Sequence, residues 1–361
     1  MTVGIVATYF AVTGLGMLFK PQLQPIVEQP LQPAATCSKR LPLDDLITLS
    51  RGLHPSDAVR QVELTAGGRG VATVRYADLQ GVRVDPCTGA LLGQQARWGG
   101  LFGTIEKLHR LRFLESSDVS ELVAGSVSLV MGTVLAMGGV VLWWPRSRAQ
   151  LRQAFKLPRG LKGLAFDVKL HRTLGGYAAL VLLASAVASW TMTFDWARGM
   201  AYTVTRSTPP AAKPRVADAG TARAGSEALM SAVLRVVPTA DSITLAYPRK
   251  PGDPVEVIVI ELGAPHPNAR TMVYLDPATA GVVRYEPYAS SPAGHKLYRW
   301  LCSLHMGYIG GPIGQLALLA AMACVPVLAF TGIRSWLRRR RVERERTRQA
   351  AARSRSAGVH A

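Results

Sequence analysis

Four apolar stretches decide what this chain can fold into. Residues 3–19, 122–144, 173–194 and 312–336 are each close to the roughly 20 residues a helix needs to cross a hydrocarbon core, and the middle of each is almost free of charge. Buried core helices of a soluble protein do not come as four such runs bounded by arginine and tryptophan, so the pattern predicts a polytopic α-helical membrane protein. The first run does not read as a signal peptide: nothing basic precedes it and no small-residue cleavage site follows at the right distance. It reads as an N-terminally shortened membrane helix, residues 1–20.

The basic residues set the expected orientation. The loop 146–172 carries Arg146, Arg148, Arg152, Lys156, Arg159, Lys162, Lys169 and Arg172 against one acid, Asp167, and the tail 338–361 opens on four arginines, Arg338 to Arg341. Positive loops stay in the cytoplasm, so both termini are expected there and the long segments between the helices outside. The net charge of +19 is mostly this asymmetry, which argues against nucleic acid as the partner and for the lipid surface. Trp143, Trp144 and Trp336 fall where an interfacial aromatic belt would put them.

The two outside segments carry the same punctuation. In residues 38–98 a helix-like stretch, 43–53, precedes strands at 61–65 and 71–76 joined by a glycine-rich turn at 66–70, then the strand and turn Val84-Asp85-Pro86-Cys87-Thr88-Gly89. That turn joins two strands rather than opening a helix, so it is a hairpin and not a phosphate loop. In residues 225–290 a helix at 226–236 precedes strands at 242–246 and 255–262, then Val273-Tyr274-Leu275-Asp276-Pro277-Ala278-Thr279-Ala280-Gly281. Each reads as a helix and a three-strand meander, the second turn being one residue longer by Ala280. Residues 196–224 are a linker. Cys37 and Cys87 both fall in the first segment, and the sequence leaves open whether they form a disulfide; Cys324 lies in a helix, and the cysteine spacing suits no metal site. Neither segment pairs a nucleophile with a base.

A strand, an Asp-Pro-x-Thr-Gly turn, a Leu-His segment and a membrane helix thus occur twice. The carriers are the turn at Asp85, Leu108-His109-Arg110, Leu170-His171-Arg172-Thr173-Leu174-Gly175, and Leu304-His305-Met306-Gly307 with Thr331-Gly332-Ile333-Arg334-Ser335-Trp336. In this order and repetition the chain resembles the PepSY-associated transmembrane family of iron-regulated inner-membrane proteins. The resemblance implies a four-helix transmembrane bundle with two small α+β extracytoplasmic domains in a two-fold internal repeat: His-led helix segments at 101–145 and 295–337, and a third membrane helix at 173–195.

The resemblance also implies one or two b-type haems held by paired histidines. Independently, a histidine at a helix end in a membrane bundle is costly and usually marks an ion, proton or cofactor site. His109 and His305 each precede an inward-running helix and form the expected outer ligand pair. His171 begins an outward-running helix near the cytoplasmic face. Its repeat partner falls about four residues before Met1 by offset, which leaves two expectations: a translated chain that starts further upstream, or a chain that has lost the inner haem. His295, His54, His266 and His360 read as bystanders.

The leading expectation is an inner-membrane electron carrier that reduces a ferric chelate, such as a ferric siderophore, on the outer side. No flavin or nicotinamide fingerprint is present, so quinol or a membrane or cytoplasmic reductase would donate the electrons. A haem-free binding or regulatory protein acting on a periplasmic peptidase or envelope partner is the alternative, and a transporter ranks last because no acidic residue lies deep in a helix. Glycines such as Gly125, Gly132, Gly138 and Gly139 would allow close helix packing within one chain or in a homo-oligomer.

Overall fold

The computed structural model describes residues 2–27, 37, 39–55, 58–65, 70–114, 116–218 and 222–358. Most of the glycine-rich turn, residues 66–69, and His360 lie outside the described residues. Two units are present: Met1–Leu18, Leu108–Trp190 and Gly310–Ala361 form one, and Phe19–Lys107 with Thr191–Ile309 the other.

The first unit is helical. Ser117–Trp143, Gly163–Thr193 and the start of Gly311–Gly358 are long and apolar enough to cross a membrane, while Thr2–Leu18 is apolar but shorter, at 17 residues. Ser116 starts the first of these by accepting a hydrogen bond on its hydroxyl from the Val119 amide at 3.2 Å. A π-helical turn, Met131–Met137, interrupts the same helix. Neighbouring helices run antiparallel. Gly4 lies beside Ala329 and Ile333 while Gln315 Nε2 donates to the Leu18 carbonyl at 3.2 Å, so Thr2–Leu18 and Gly311–Gly358 run in opposite directions. On the latter helix, Leu328 meets Gly175, and Arg334 and Arg338 meet Asp167. Ser117–Trp143 packs on Gly163–Thr193 through two small residues: a Cβ on Gly132 would enter the Trp190 ring, and one on Gly176 would fall 2.6 Å from Trp143. Small residues let large rings seat where lipid gives helices no hydrophobic reason to associate. The basic tail does not leave the helix, which continues to Gly358.

The second unit is built on a sheet. Its strands are β1 Val59–Thr65, β2 Ala72–Tyr76, β3 Gln80–Val84, β4 Leu91–Ala96, β5 Ala240–Ala246, β6 Val255–Glu261, β7 Arg270–Leu275 and β8 Val282–Glu286. All pair antiparallel in the order β4-β3-β2-β1-β5-β6-β7-β8. The expected three-strand meanders therefore each have a fourth strand, and the two segments share one sheet through β1 and β5, paired from Gln61↔Ala246 to Thr65↔Ser242. Alternate residues of the central strands, among them Val62, Val74, Ile243, Leu245, Val257 and Val273, are fully buried with Leu43 and Leu46 of the helix Leu43–Ser50 and with Leu229 and Met230 of Ser226–Val236.

The two helices cap each other. Asp44 accepts the Ser226 and Glu227 amides at 2.7 and 3.0 Å, and Glu227 accepts the Leu43 amide at 2.7 Å while forming a bidentate pair with Arg40. Each helix thus supplies the carboxylate that satisfies the exposed amides and positive dipole end of the other.

The turn after β7 corrects one expectation. Asp85 receives Gly89 N on its carbonyl and the Cys87 and Thr88 amides on its carboxylate; Asp276 receives Ala280 N, Ala278 N and Thr279 N in the same way. Ala280 is therefore no insertion. It occupies the place of Gly89, and both are left-handed, at φ +58° and +76°. Cys37 and Cys87 form a disulfide that ties the preceding segment to the first turn. The linker that follows Gly163–Thr193 and the helix Asp195–Val204 is held against the β5–β6 hairpin by Val216 N to the Gly252 carbonyl and by Arg215 to Asp253 at 2.6 Å.

Candidate functional site

Two of the three candidate histidines are seated identically on different helices. His109 ends the helix Gly100–His109, and its Nδ1 lies 2.9 Å from the Thr13 hydroxyl on Thr2–Leu18. His171 Nδ1 lies 3.1 Å from the Thr331 hydroxyl on Gly311–Gly358. In both cases a glycine follows the threonine, and a Cβ on it would come within 3.3 Å of the histidine Cε1. The missing side chain is what lets the ring lie against the helix backbone.

Each threonine also bonds to its own helix: Thr13 Oγ1 reaches the Tyr9 carbonyl at 2.8 Å and Thr331 Oγ1 the Val327 carbonyl at 2.7 Å. With the hydroxyl hydrogen on that carbonyl, the histidine donates from Nδ1 and its lone pair sits on Nε2, the tautomer in which an imidazole can serve as an axial ligand for haem iron. The residues fit the group on this ground: a glycine-lined seat and a threonine hydroxyl at Nδ1 in both places. Further contacts brace His109, including the Phe10 ring edge at 5.8 Å and the Tyr9 hydroxyl donating to the Leu108 carbonyl at 2.6 Å.

His171 does not begin its helix, contrary to the sequence expectation. The helix starts at Gly163, two turns earlier. Continuing the helix through this basic stretch is possible because Asp167, with its side chain 2 % exposed, lies 3.3 Å from Arg334 and 3.2 Å from Arg338. That clamp also fixes the register that brings His171 to Thr331.

His305 is the last residue of the helix Ala293–His305 and is half-buried. Two residues earlier, Ser303 is fully buried and donates to His266 Nδ1 at 2.9 Å. His266 receives the Asn268 amide on the same nitrogen at 3.2 Å and shares a hydrogen bond from Nε2 to the Tyr288 hydroxyl at 3.0 Å. His266 is therefore not a loop bystander: it is 4 % exposed and holds the helix that ends in His305. Burial, with the charge of Arg299 behind it, pushes its pKa below the ordinary histidine value. His295 is pushed to about 4 by the same two causes and bonds to Arg299 and Tyr202. His54 packs on Tyr76 and sits 3.3 Å from Asp78.

The sequence placed the three histidines but gave Thr13, Gly14, Thr331 and Gly332 no role. The shared Thr-Gly pair was the available signal. His266 and Ser303 had none, because nothing in their spacing links a loop to a helix 37 residues later.

The family model of the PepSY-associated TM region matches residues 1–339. No curated protein matches the chain.

Proposed function

This chain belongs to the PepSY-associated transmembrane family, and from that membership we propose that it is a haem-b electron carrier of the inner membrane that reduces a ferric chelate, such as a ferric siderophore, on the periplasmic side. The observation that carries the reading is the paired seating of His109 and His171, each with a threonine hydroxyl at Nδ1 and its ring admitted by a glycine. Haem supplies reversible one-electron transfer when bound. The chain supplies the ligands, His109 with His305 at an outer site and His171 at an inner one, and holds their rings through Thr13 and Thr331. The pairing of His109 with His305 follows the order of segments in the sequence.

In this reading the helices form a four-helix bundle with a two-fold repeat, and the basic loop and tail face the cytoplasm. The Cys37–Cys87 disulfide supports that orientation, since disulfides persist in oxidising compartments and the bond lies in the segment assigned outside. Quinol or a reductase delivers the electron, and the ferric chelate accepts it as substrate, one electron per iron.

The test is the reduced-minus-oxidised visible spectrum and haem-to-protein ratio of the purified protein and of His109→Ala, His305→Ala and His171→Ala. Haem in the wild type that falls in the three variants supports the reading. Absence of haem from protein purified after expression with excess haem overturns it and leaves a haem-free PepSY binding or regulatory protein.

A further inference from the structure

Two arginines of the sheet-bearing unit lie over one tyrosine ring, and a third is within electrostatic reach of them. Arg198 comes from the helix Asp195–Val204, Arg270 opens β7 and Arg299 lies on Ala293–His305. The guanidinium carbons of Arg198 and Arg299 lie 5.2 and 5.3 Å from the centroid of the Tyr298 ring. Arg270 is close enough to Arg299, Tyr298 and Cys302 for their charges to act on it, and Cys302 feels all three arginines.

Counter-charge is sparse. Asp195 pairs with Arg198 at 3.3 Å, but its side chain is 96 % exposed. Among the described residues neither Arg270 nor Arg299 has an ion pair: Arg270 Nη2 reaches only Asn268 Oδ1 at 3.5 Å, and Arg299 Nε donates to His295 Nε2 at 3.3 Å. Both are half-buried, so a like-charged pair is held together with part of its hydration removed. Stacking on Tyr298 restrains the planar forks of Arg198 and Arg299, and a restrained fork loses less freedom on gripping a carboxylate or phosphate.

We propose that Arg198, Arg270 and Arg299 form a binding site for an oxyanion of two or more negative charges, a carboxylate or phosphate group held by charge-assisted hydrogen bonds. The carboxylates of a soluble chelate and the phosphate of a lipid headgroup share this chemistry. The site stands independently of haem in the helical unit.

The experiment is calorimetric titration of the full-length protein in detergent with citrate and, separately, pyrophosphate, alongside haem content and co-purified lipid phosphorus. Arg270→Gln, Arg299→Gln and Arg299→Lys are compared with wild type and with the exposed control Arg249→Gln. Saturable binding that weakens roughly tenfold or more in each Gln variant, less in Arg299→Lys and not in the control, assigns the site to a soluble anion. Loss of lipid phosphorus confined to the arginine variants assigns it to lipid. Wild type and variants indistinguishable in all three readouts overturn the proposal. Citrate binding by protein that contains no haem would retain this site while removing the electron-carrier reading.

Discussion

Thr13→Val and Thr331→Val keep the shape of the residue and delete only the hydroxyl, so each isolates one hydrogen bond to a histidine. In the wild type the hydroxyls stand 2.9 Å from His109 Nδ1 and 3.1 Å from His171 Nδ1, and both contacts are part-buried. Deleting the hydroxyl removes one such hydrogen bond, at a cost of about 0.5–1.5 kcal/mol. At 1.4 kcal/mol per factor of ten, haem should be held about 2- to 12-fold less tightly, at the low end of the roughly 10- to 100-fold loss typical when an outer partner of a metal ligand is removed. The assay is the rate of haem transfer from each purified variant to excess apomyoglobin, followed by the Soret band. Thr133→Val is the control: Thr133 donates to the Leu129 carbonyl at 2.7 Å, the same i−4 bond, but is exposed. Both test variants should release haem faster than the control, with unchanged helix content. Equal rates in all three would show that the threonines do not set the ligand geometry, and the tautomer argument would fail.

Other expectations follow from single features of the fold. Ala280→Gly should stabilise the sheet-bearing unit by up to about 1 kcal/mol, because φ +58° disfavours a Cβ that Gly89 lacks at the equivalent place; a raised thermal midpoint checks it. Asp44→Ala should cost about 1–2 kcal/mol through loss of the cap on Ser226–Val236, and the double variant with Glu227→Ala should cost less than the sum, as a double-mutant cycle in denaturant will read. His295 titrates near 4 in the folded chain against 6.5 unfolded, so between those values the unfolded state binds more protons. Stability is therefore full above pH 6.5 and falls toward pH 4, by at most about 3 kcal/mol before solvent screening at this half-buried site. Melting curves against pH should lose that slope in His295→Gln. Glu106 loses stability in a lower window. Burial raises its carboxyl, but hydrogen bonds and charges from Arg97 and Lys20 hold it at about 2, so its contribution disappears from pH 4.5 downward.

What the sequence made legible tracks how local each cause is. Hydrophobic runs and caps are local, so the helix Ser226–Val236 was read to the residue and β1, β2, β5 and β6 to within two. The outermost strands β4 and β8 were missed because an edge strand buries little: Leu91–Ala96 and Val282–Glu286 expose alternate or successive apolar residues, and the alternation that marks a half-buried strand disappears. The joining of both segments into one sheet was invisible for a different reason. It depends on pairing β1 with β5, some 180 residues apart, and no local signal specifies a distant partner.

The same distinction explains the site. The histidines were conspicuous because polar residues are costly in membrane helices, but the features that seat two of them are relations between helices. Thr13 to His109 spans 96 residues and His171 to Thr331 spans 160. Each half of the relation looks ordinary alone: a threonine bonding back to its own helix, then a glycine. Only when the helices pack does the hydroxyl reach the imidazole Nδ1, and only the missing Cβ lets the ring approach. The Asp167 clamp belongs to the same logic, since it sets the register of Gly163–Thr193 against Gly311–Gly358 one turn from His171. Asp167→Asn should therefore reduce the haem retained through His171 while leaving that held through His109 in place. Loss from both sites alike would mean that the clamp supports the helices as a whole and not the seat of one ligand.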